Sequence, residues 1–163
     1  LMCRGPNVIK EYWENPEETR AHFEKGGWFC TGDLAIIDEG GYVTITGRTK
    51  DQINRGGLKI TPFELEEEIS KHPKVHEVAV VASPNPVLGE NICACIVPVQ
   101  GQIVTLEEIR DFLEGKVARN KLPDELSIFK GFPRLVGGVK LNKFGKGGIK
   151  EAAINDKYKQ SIR

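Results

Sequence analysis

Two short apolar runs limit most strongly what this chain can fold into. Residues 75–82 are almost continuously apolar, and residues 92–97 are apolar throughout. Both runs are too short for typical helices, and strands covered on both faces show such runs instead of an alternating pattern. The sequence therefore predicts a central sheet with a layer of structure on each side.

Helix signals alternate with these strands. Residues 61–64 and 105–108 read as capping boxes, each with Thr at the first position and Glu at the fourth. Residues 126–129 predict a third core strand, and a last helix is expected from about residue 149. With a short hairpin ahead of residue 61, the order is ββ-α-β-β-α-β-loop-α. We expect an α+β fold, a small mixed sheet covered by two or three helices.

A separate, hairpin-rich segment precedes this sheet. Asn15-Pro16-Glu17-Glu18 is typical of a helix start, and residues 34–46 alternate as a hairpin around a Gly-Gly turn. The polar residues 47–51 break the apolar pattern and mark a boundary. We divide the chain into residues 1–49, read as the end of a larger domain, and a domain of residues 50–163.

Charge and cysteine content narrow the functional classes. Lys plus Arg equals Asp plus Glu at 23 each, so no global field attracts nucleic acid or an anionic membrane. The spacing of the four cysteines does not suit zinc, and the three histidines lie in unrelated contexts, as surface or helix-end residues. With no apparent signal peptide or membrane span, we expect reduced cysteines, a cytoplasmic protein and no metal site in this chain.

Two polar side chains at strand ends are candidates for ligand binding. Asp33 follows Gly32 at a strand break, where its carboxylate can accept hydrogen bonds from a vicinal diol or cap its own loop. Arg48 follows fifteen residues later and offers a planar fork of donors, or a surface ion pair. The two could converge on one ligand.

Two glycine-rich stretches are further candidates. Gly56-Gly57, close to Lys59, permits close approach to a ligand, or forms a plain hairpin turn. The Gly- and Lys-rich stretch 137–148 should be an exposed, mobile loop, and Lys140 on it could neutralise developing negative charge. The alternative is an ordinary basic loop.

Together these motifs resemble the acyl-adenylate-forming ligase superfamily. The resemblance covers residues 1–151 and includes WFCTGDLAIIDEGGYVTITGRTKDQINRGG, HPKVHEVAVV and KLPDEL, in the family's order. It implies that Asp33 and Arg48 contact the ribose of ATP and that Lys59 lies near the phosphates. It also implies that Lys50 is a hinge and that Gly57 lines a phosphopantetheine tunnel.

The catalytic lysine of the family follows a P-x-T-x-x-G-K pattern, which this chain matches incompletely. Residues 133–140 read PRLVGGVK, with Leu135 at the Thr position and one extra residue. Lys140 fits best because KLNK resembles the family's continuation, and Lys146 is the rival.

The resemblance implies a two-step reaction. The enzyme activates a carboxylic acid with ATP and Mg²⁺ as acyl-AMP, then passes it to a thiol of CoA or of a carrier protein's phosphopantetheine. The run GRTKDQINRGG is most similar to aryl-acid ligases such as 2,3-dihydroxybenzoate-AMP ligase, whereas TPFE is closer to CoA ligases. Acyl- or aryl-CoA synthetase, or a non-catalytic interaction module, is the alternative. We expect a C-terminal fragment, inactive alone, with ATP and Mg²⁺ bound mainly by an absent N-terminal domain.

Overall fold

The computed structural model describes the backbone of residues 1–161 and the side chains through Asp156. The chain consists of two compact units, Leu1–Lys50 and Asp51–Arg163. Each unit has its own strands and is described by itself.

The first unit contains two small antiparallel sheets and one helix. Its elements are β1 (Met2–Cys3), α1 (Pro16–His22), β2 (Phe23–Glu24), β3 (Trp28–Cys30), β4 (Asp33–Ile37) and β5 (Val43–Arg48). Strand β3 lies between β1 and β2, and β4 pairs with β5 as the predicted hairpin.

Helix α1 begins where the sequence predicts. The Oδ1 atom of Asn15 accepts a hydrogen bond from the backbone N–H of Glu18 at 3.1 Å, and Pro16 occupies the first turn. Such a cap satisfies one of the backbone donors that the first helical turn leaves without a partner. The predicted helix start is confirmed.

The second unit has the predicted order of strands and helices. Its elements are β6 (Ile53–Arg55), β7 (Leu58–Ile60), α2 (Pro62–Ser70), β8 (Val75–Asn85), β9 (Gly89–Pro98), α3 (Leu106–Leu113), β10 (Glu125–Ile128) and α4 (Ile149–Ser161). Strand β9 pairs antiparallel with β8 and parallel with β10, so the sheet is mixed. The β6–β7 hairpin joins β9 where Arg55 pairs with Gly89.

Both faces of this sheet are buried, as the apolar runs predict. The side chains of Val80 and Ile96 pack in one cluster with Leu65 of α2 and Ile109 of α3. The opposite face forms a second cluster, whose members are Ala79, Val81, Cys93, Cys95, Val97, Phe132, Ile149 and Ala153. The α+β fold, with a small mixed sheet between helices, is confirmed. Within residues 1–161, no helix combines the length and apolarity needed to cross a bilayer.

One of the two capping boxes is wrong. The Thr105 hydroxyl accepts a hydrogen bond from the N–H of Glu108 at 3.2 Å, but the Thr61 side chain forms no cap bond. Glu64, which a capping box would fold back, instead contacts Lys121 at 2.5 Å. The long-range ion pair takes the Glu64 carboxylate, which a capping box would direct to the Thr61 N–H.

The histidine assignments need one correction. His72 follows α2, so its helix-end position is right, but its side chain is only 5% exposed and is not on the surface. Its ring packs edge-on against Phe112, with centroids 4.8 Å apart, and its Nδ1 accepts a hydrogen bond from the Lys74 N–H. The burial of His72 follows from this packing, which spacing in the sequence does not reveal.

Candidate functional site

The structure brings together Asp33 and Arg48, two of the predicted ligand-binding residues. They are direct partners across the β4–β5 hairpin, and Arg48 Nε donates to Asp33 Oδ1 at 3.0 Å. Both side chains are partly exposed, Asp33 at 26% and Arg48 at 45%. The remaining carboxylate lone pairs and guanidinium donors can therefore meet a polar ligand. This pair suits the two hydroxyls of a vicinal diol.

Backbone geometry fixes the strand break ahead of Asp33. Gly32 has φ +76°, a left-handed conformation that favours glycine. The Asp33 N–H donates to the Thr31 hydroxyl at 3.0 Å, and the Thr49 N–H donates to the Gly32 carbonyl at 2.8 Å. These bonds hold the Thr-Gly-Asp turn against the end of β5.

A cleft of about 460 Å³ adjoins this pair within the first unit. Arg48 and Lys50 line it, together with Tyr12 and His22. The rings of Tyr12 and His22 contact edge to face, with centroids 5.4 Å apart. Sequence reasoning missed both residues as site candidates. No spacing signal links them to Arg48, because the fold of the unit brings them there.

The Gly56-Gly57 turn is required by its own hairpin. Gly56 has φ +58° and Gly57 has φ +87°, the positive values that a type I′ turn needs at both central positions. The Gly56 N–H also donates to the carbonyl of Leu88 at 2.7 Å. A Cβ added at Gly57 would meet nothing within 4 Å, so this side of the turn is open. Lys59, on the exposed strand after the turn, pairs in register with Asn54.

An ion pair that sequence reasoning missed holds this hairpin in place. Arg55 donates twice to Asp124, from Nε at 3.0 Å and from Nη2 at 2.7 Å. Asp124 also accepts the backbone N–H of Ile92 at 2.9 Å. The hydrogen bond to Asp124 raises the pKa of Arg55 above its usual range. Asp124 therefore links the glycine turn to the core strand β9.

Lys140 lies on a short hairpin, in the stretch that the sequence predicted only as an exposed, mobile loop. Arg134 and Leu141 form an antiparallel bridge, and the Leu135 N–H donates to the Lys140 carbonyl at 2.8 Å. Gly137 and Gly138, with φ +97° and +73°, form the tip. The loop is ordered at its base by this bridge, and Lys140 is exposed beside the tip.

Lys146, the rival of Lys140, lies in a separate turn before α4. Asn142 organises this turn, since its Oδ1 accepts from the Gly145 N–H and its Nδ2 donates to the Lys146 carbonyl. Lys146 is exposed, whereas the nearby Lys143 is 17% exposed and is ion-paired with Glu66. The ammonium groups of Lys140 and Lys146 are therefore both free to approach a ligand. The ammonium group of Lys143 could do so only by breaking its ion pair with Glu66.

The buried thiols do not form a nucleophilic site. All four cysteines are free, and Cys93 Sγ lies 4.0 Å from Cys95 Sγ. The contact with Cys93 and burial raise the pKa of the Cys95 thiol, which keeps it protonated and unreactive. Among the residues whose side chains are described, no three His, Cys, Asp or Glu side chains cluster as metal ligands.

Comparison with known families places this geometry in context. Residues 64–138 match the family described as "AMP-binding enzyme C-terminal domain". The medium-chain acyl-CoA ligase ACSF2, mitochondrial, of Mus musculus is 42% identical over 144 residues, 88% of this chain and 23% of the relative. The putative acyl-CoA synthetase YngI of Bacillus subtilis is 40% identical over 88% of this chain. The chain thus spans about a quarter of the length of these curated relatives.

Solved structures show the same architecture. ATP-bound MatB from Rhodopseudomonas palustris superposes with a TM-score of 0.78 at 35% identity, over 98% of this chain and 30% of that chain. The o-succinylbenzoate CoA synthetase MenE of Bacillus subtilis, in complex with its acyl-adenylate intermediate, gives 0.75 at 32% identity over 82% of this chain and 27% of that chain.

Proposed function

Because this chain carries an AMP-binding enzyme C-terminal domain of the adenylate-forming superfamily, we propose that it is the C-terminal part of an acid–CoA ligase. The ligase would activate a carboxylic acid with ATP as acyl-AMP and pass the acyl group to the thiol of CoA. The observation that carries the proposal is the Asp33–Arg48 pair, which offers acceptors and donors at one exposed strand edge. The relatives' names, acyl-CoA ligase and acyl-CoA synthetase, favour CoA as acceptor.

In the first step the substrate carboxylate attacks the α-phosphorus of ATP and pyrophosphate leaves. Asp33 accepts hydrogen bonds from the ribose hydroxyls while Arg48 donates to them, which fixes the nucleotide. Lys140 brings its ammonium to the oxygens on which negative charge develops, and Lys59 lies near the phosphates. An oriented cation in a site that excludes water stabilises such charge much more than it would in solution.

In the second step the thiol loses its proton to solvent and its sulfur attacks the acyl carbonyl carbon, and AMP leaves as the bond between that carbon and the phosphate oxygen breaks. Between the two steps, residues 50–163 would turn about Lys50 as a mobile lid. That rotation would withdraw Lys140 and bring the open side of Gly57 to the thiol. Mg²⁺, when bound by the rest of the enzyme, would neutralise phosphate charge.

Lys140 is favoured over Lys146 as the catalytic residue. The carbonyls of both lysines accept a hydrogen bond and both side chains are exposed, so the preference rests on the sequence, where Lys140-Leu141-Asn142-Lys143 resembles the family's continuation after the catalytic lysine. In the full-length ligase, we expect Lys140→Ala to abolish ATP–pyrophosphate exchange while thioester formation from preformed acyl-AMP continues. Lys146→Ala should leave both rates within a few-fold of the unmodified enzyme. If Lys146→Ala alone abolishes exchange, Lys146 is the catalytic residue.

Substrate class and acceptor are tested on the same enzyme. A panel of medium-chain fatty acids, benzoate and 2,3-dihydroxybenzoate in the exchange assay separates acyl from aryl activation. CoA and a phosphopantetheine-bearing carrier protein, offered as acceptors, separate the two transfer routes. Residues 47–57 resemble aryl-acid–AMP ligases and so support activation of an aryl acid. The names of the relatives support activation of an aliphatic acyl chain instead.

A non-catalytic role is the remaining candidate. The altered segment 133–140 favours it, because Leu135 replaces the family's Thr. This role predicts no exchange activity in the full-length protein with any acid in the panel. The chain alone should show no exchange in either case, and exchange by the isolated chain would contradict its assignment as a fragment. Cytoplasmic location also stays a prediction, since the Mus musculus relative is named mitochondrial.

A further inference from the structure

Arg134 connects the Lys140 hairpin to the core sheet. Its Nη2 donates to Glu77 Oε2 at 2.7 Å, and its Nη1 donates to the carbonyl of Val139 at 3.1 Å. Glu77 belongs to β8, and Val139 directly precedes Lys140. One guanidinium therefore bridges a core strand to the residue beside the proposed catalytic lysine.

The other end of the loop is also anchored. Lys143 forms an ion pair with Glu66 of α2, whose Oε1 also accepts the backbone N–H of Val80 at 2.7 Å. Glu66 is 24% exposed and Lys143 is 17% exposed, so water screens this contact less than a surface pair. Both anchors lead back to strand β8.

Between the two anchors the tip has no packing of its own. Val136 and Val139 are almost fully exposed, at 108% and 87%. Apolar packing reaches only one side of Lys140, because the next residue, Leu141, is partly buried against the second cluster. On the other side, the Arg134 bridge to Val139 and the hairpin hydrogen bonds set the backbone position.

We propose that Arg134, held by Glu77, is a positioning residue that fixes the backbone next to Lys140 for the adenylation step. The inference rests on the proposed role of Lys140. A lysine side chain has several rotatable bonds, so its ammonium reaches a defined point reproducibly only if its backbone starts from a defined place. Misplacing a catalytic group by about 1 Å can lower a rate by about 100-fold.

The test uses the full-length ligase and both half-reactions. We expect Arg134→Met to lower the rate constant of ATP–pyrophosphate exchange by about 10- to 100-fold. Thioester formation from preformed acyl-AMP should stay within about twofold, because Lys140 has no role in that step. Arg134→Lys should recover part of the exchange rate, since an ammonium can still reach one of the two acceptors.

A matched control comes from an ion pair outside the loop. Lys121→Met breaks the 2.5 Å contact with Glu64 and should change neither half-reaction by more than about twofold. If Arg134→Met does not fold, Glu77→Gln provides a milder loss of the same anchor, with a smaller reduction confined to exchange.

Three results would overturn the proposal. Exchange that is unaffected by both Arg134→Met and Glu77→Gln shows that the bridge does not position the lysine. Equal losses in both half-reactions with a lowered melting temperature show a structural role only. Normal exchange in Lys140→Ala removes the residue through which Arg134 would act, and this outcome alone also contradicts the proposed catalytic role of Lys140.

Discussion

The strongest stability prediction concerns Asp124, whose carboxylate joins the glycine hairpin to the core. It accepts two hydrogen bonds from Arg55 and one from the backbone of Ile92. Asp124→Ala removes all three hydrogen bonds at once. The side chain is only 19% exposed, so water cannot fully replace them.

The expected cost follows from what each donor loses. Ile92 is fully buried, and a buried N–H without a partner costs about 1–3 kcal/mol. Arg55 is 25% exposed and can turn its guanidinium toward water, so losing the ion pair costs only about 0.5–1 kcal/mol. We expect Asp124→Ala to lower the free energy of unfolding of the second unit by about 1.5–4 kcal/mol.

Urea unfolding followed by far-UV circular dichroism measures this change. Tryptophan fluorescence is unsuitable, because Trp13 and Trp28 both lie in the first unit. Arg55→Met is the matched variant, since it breaks the ion pair but leaves the Asp124 bond to Ile92. It should cost only about 0.5–1 kcal/mol. The difference between the two losses of unfolding free energy gives the contribution of the hydrogen bond to the buried Ile92 N–H.

Two outcomes would refute this reasoning. If Asp124→Ala and Arg55→Met cost the same, the bond to Ile92 contributes nothing measurable. If Asp124→Ala costs less than about 0.5 kcal/mol with an unchanged denaturant slope, the carboxylate does not hold the hairpin.

Three further predictions concern a helix cap, a glycine turn and an ion pair. Thr105→Ala should lower the free energy of unfolding by about 1 kcal/mol, because its cap bond is lost. Thr61→Ala removes no cap bond and should cost clearly less. Equal losses of the two variants in urea unfolding would contradict this. Gly57→Ala places a side chain at φ +87° and should lower the free energy of unfolding by about 1 kcal/mol in the same assay. Gly57→Asn should cost less, because Asn tolerates the left-handed backbone conformation. Equal costs for the two variants would argue against backbone strain. The hydrogen bond from Lys74 lowers the pKa of Glu108 below its ordinary 4.5, so its contribution is present above that pH and is lost as the pH falls through the lowered value. In thermal unfolding between pH 7 and pH 3, Glu108→Gln should therefore lose less stability on acidification than the unmodified chain, and parallel curves would contradict this.

The sequence by itself determined the order of the elements and which strands are buried. The apolar runs at 75–82 and 92–97 specified strands covered on both faces, because a strand exposed on one face must alternate. The caps at Asn15 and Thr105 were readable because they join residues three apart. Local backbone geometry decides such contacts, and the local sequence encodes it.

Only the tertiary structure decided which distant side chains meet. The partners in the Arg55–Asp124 pair are 69 residues apart, and those in the Arg134–Glu77 pair are 57 apart. The reciprocal half of the predicted box at Thr61 is lost for the same reason, because an ion pair to Lys121, 57 residues away in sequence, takes the Glu64 carboxylate. Such contacts depend on how whole elements pack, and a single sequence has no periodic signal at those separations.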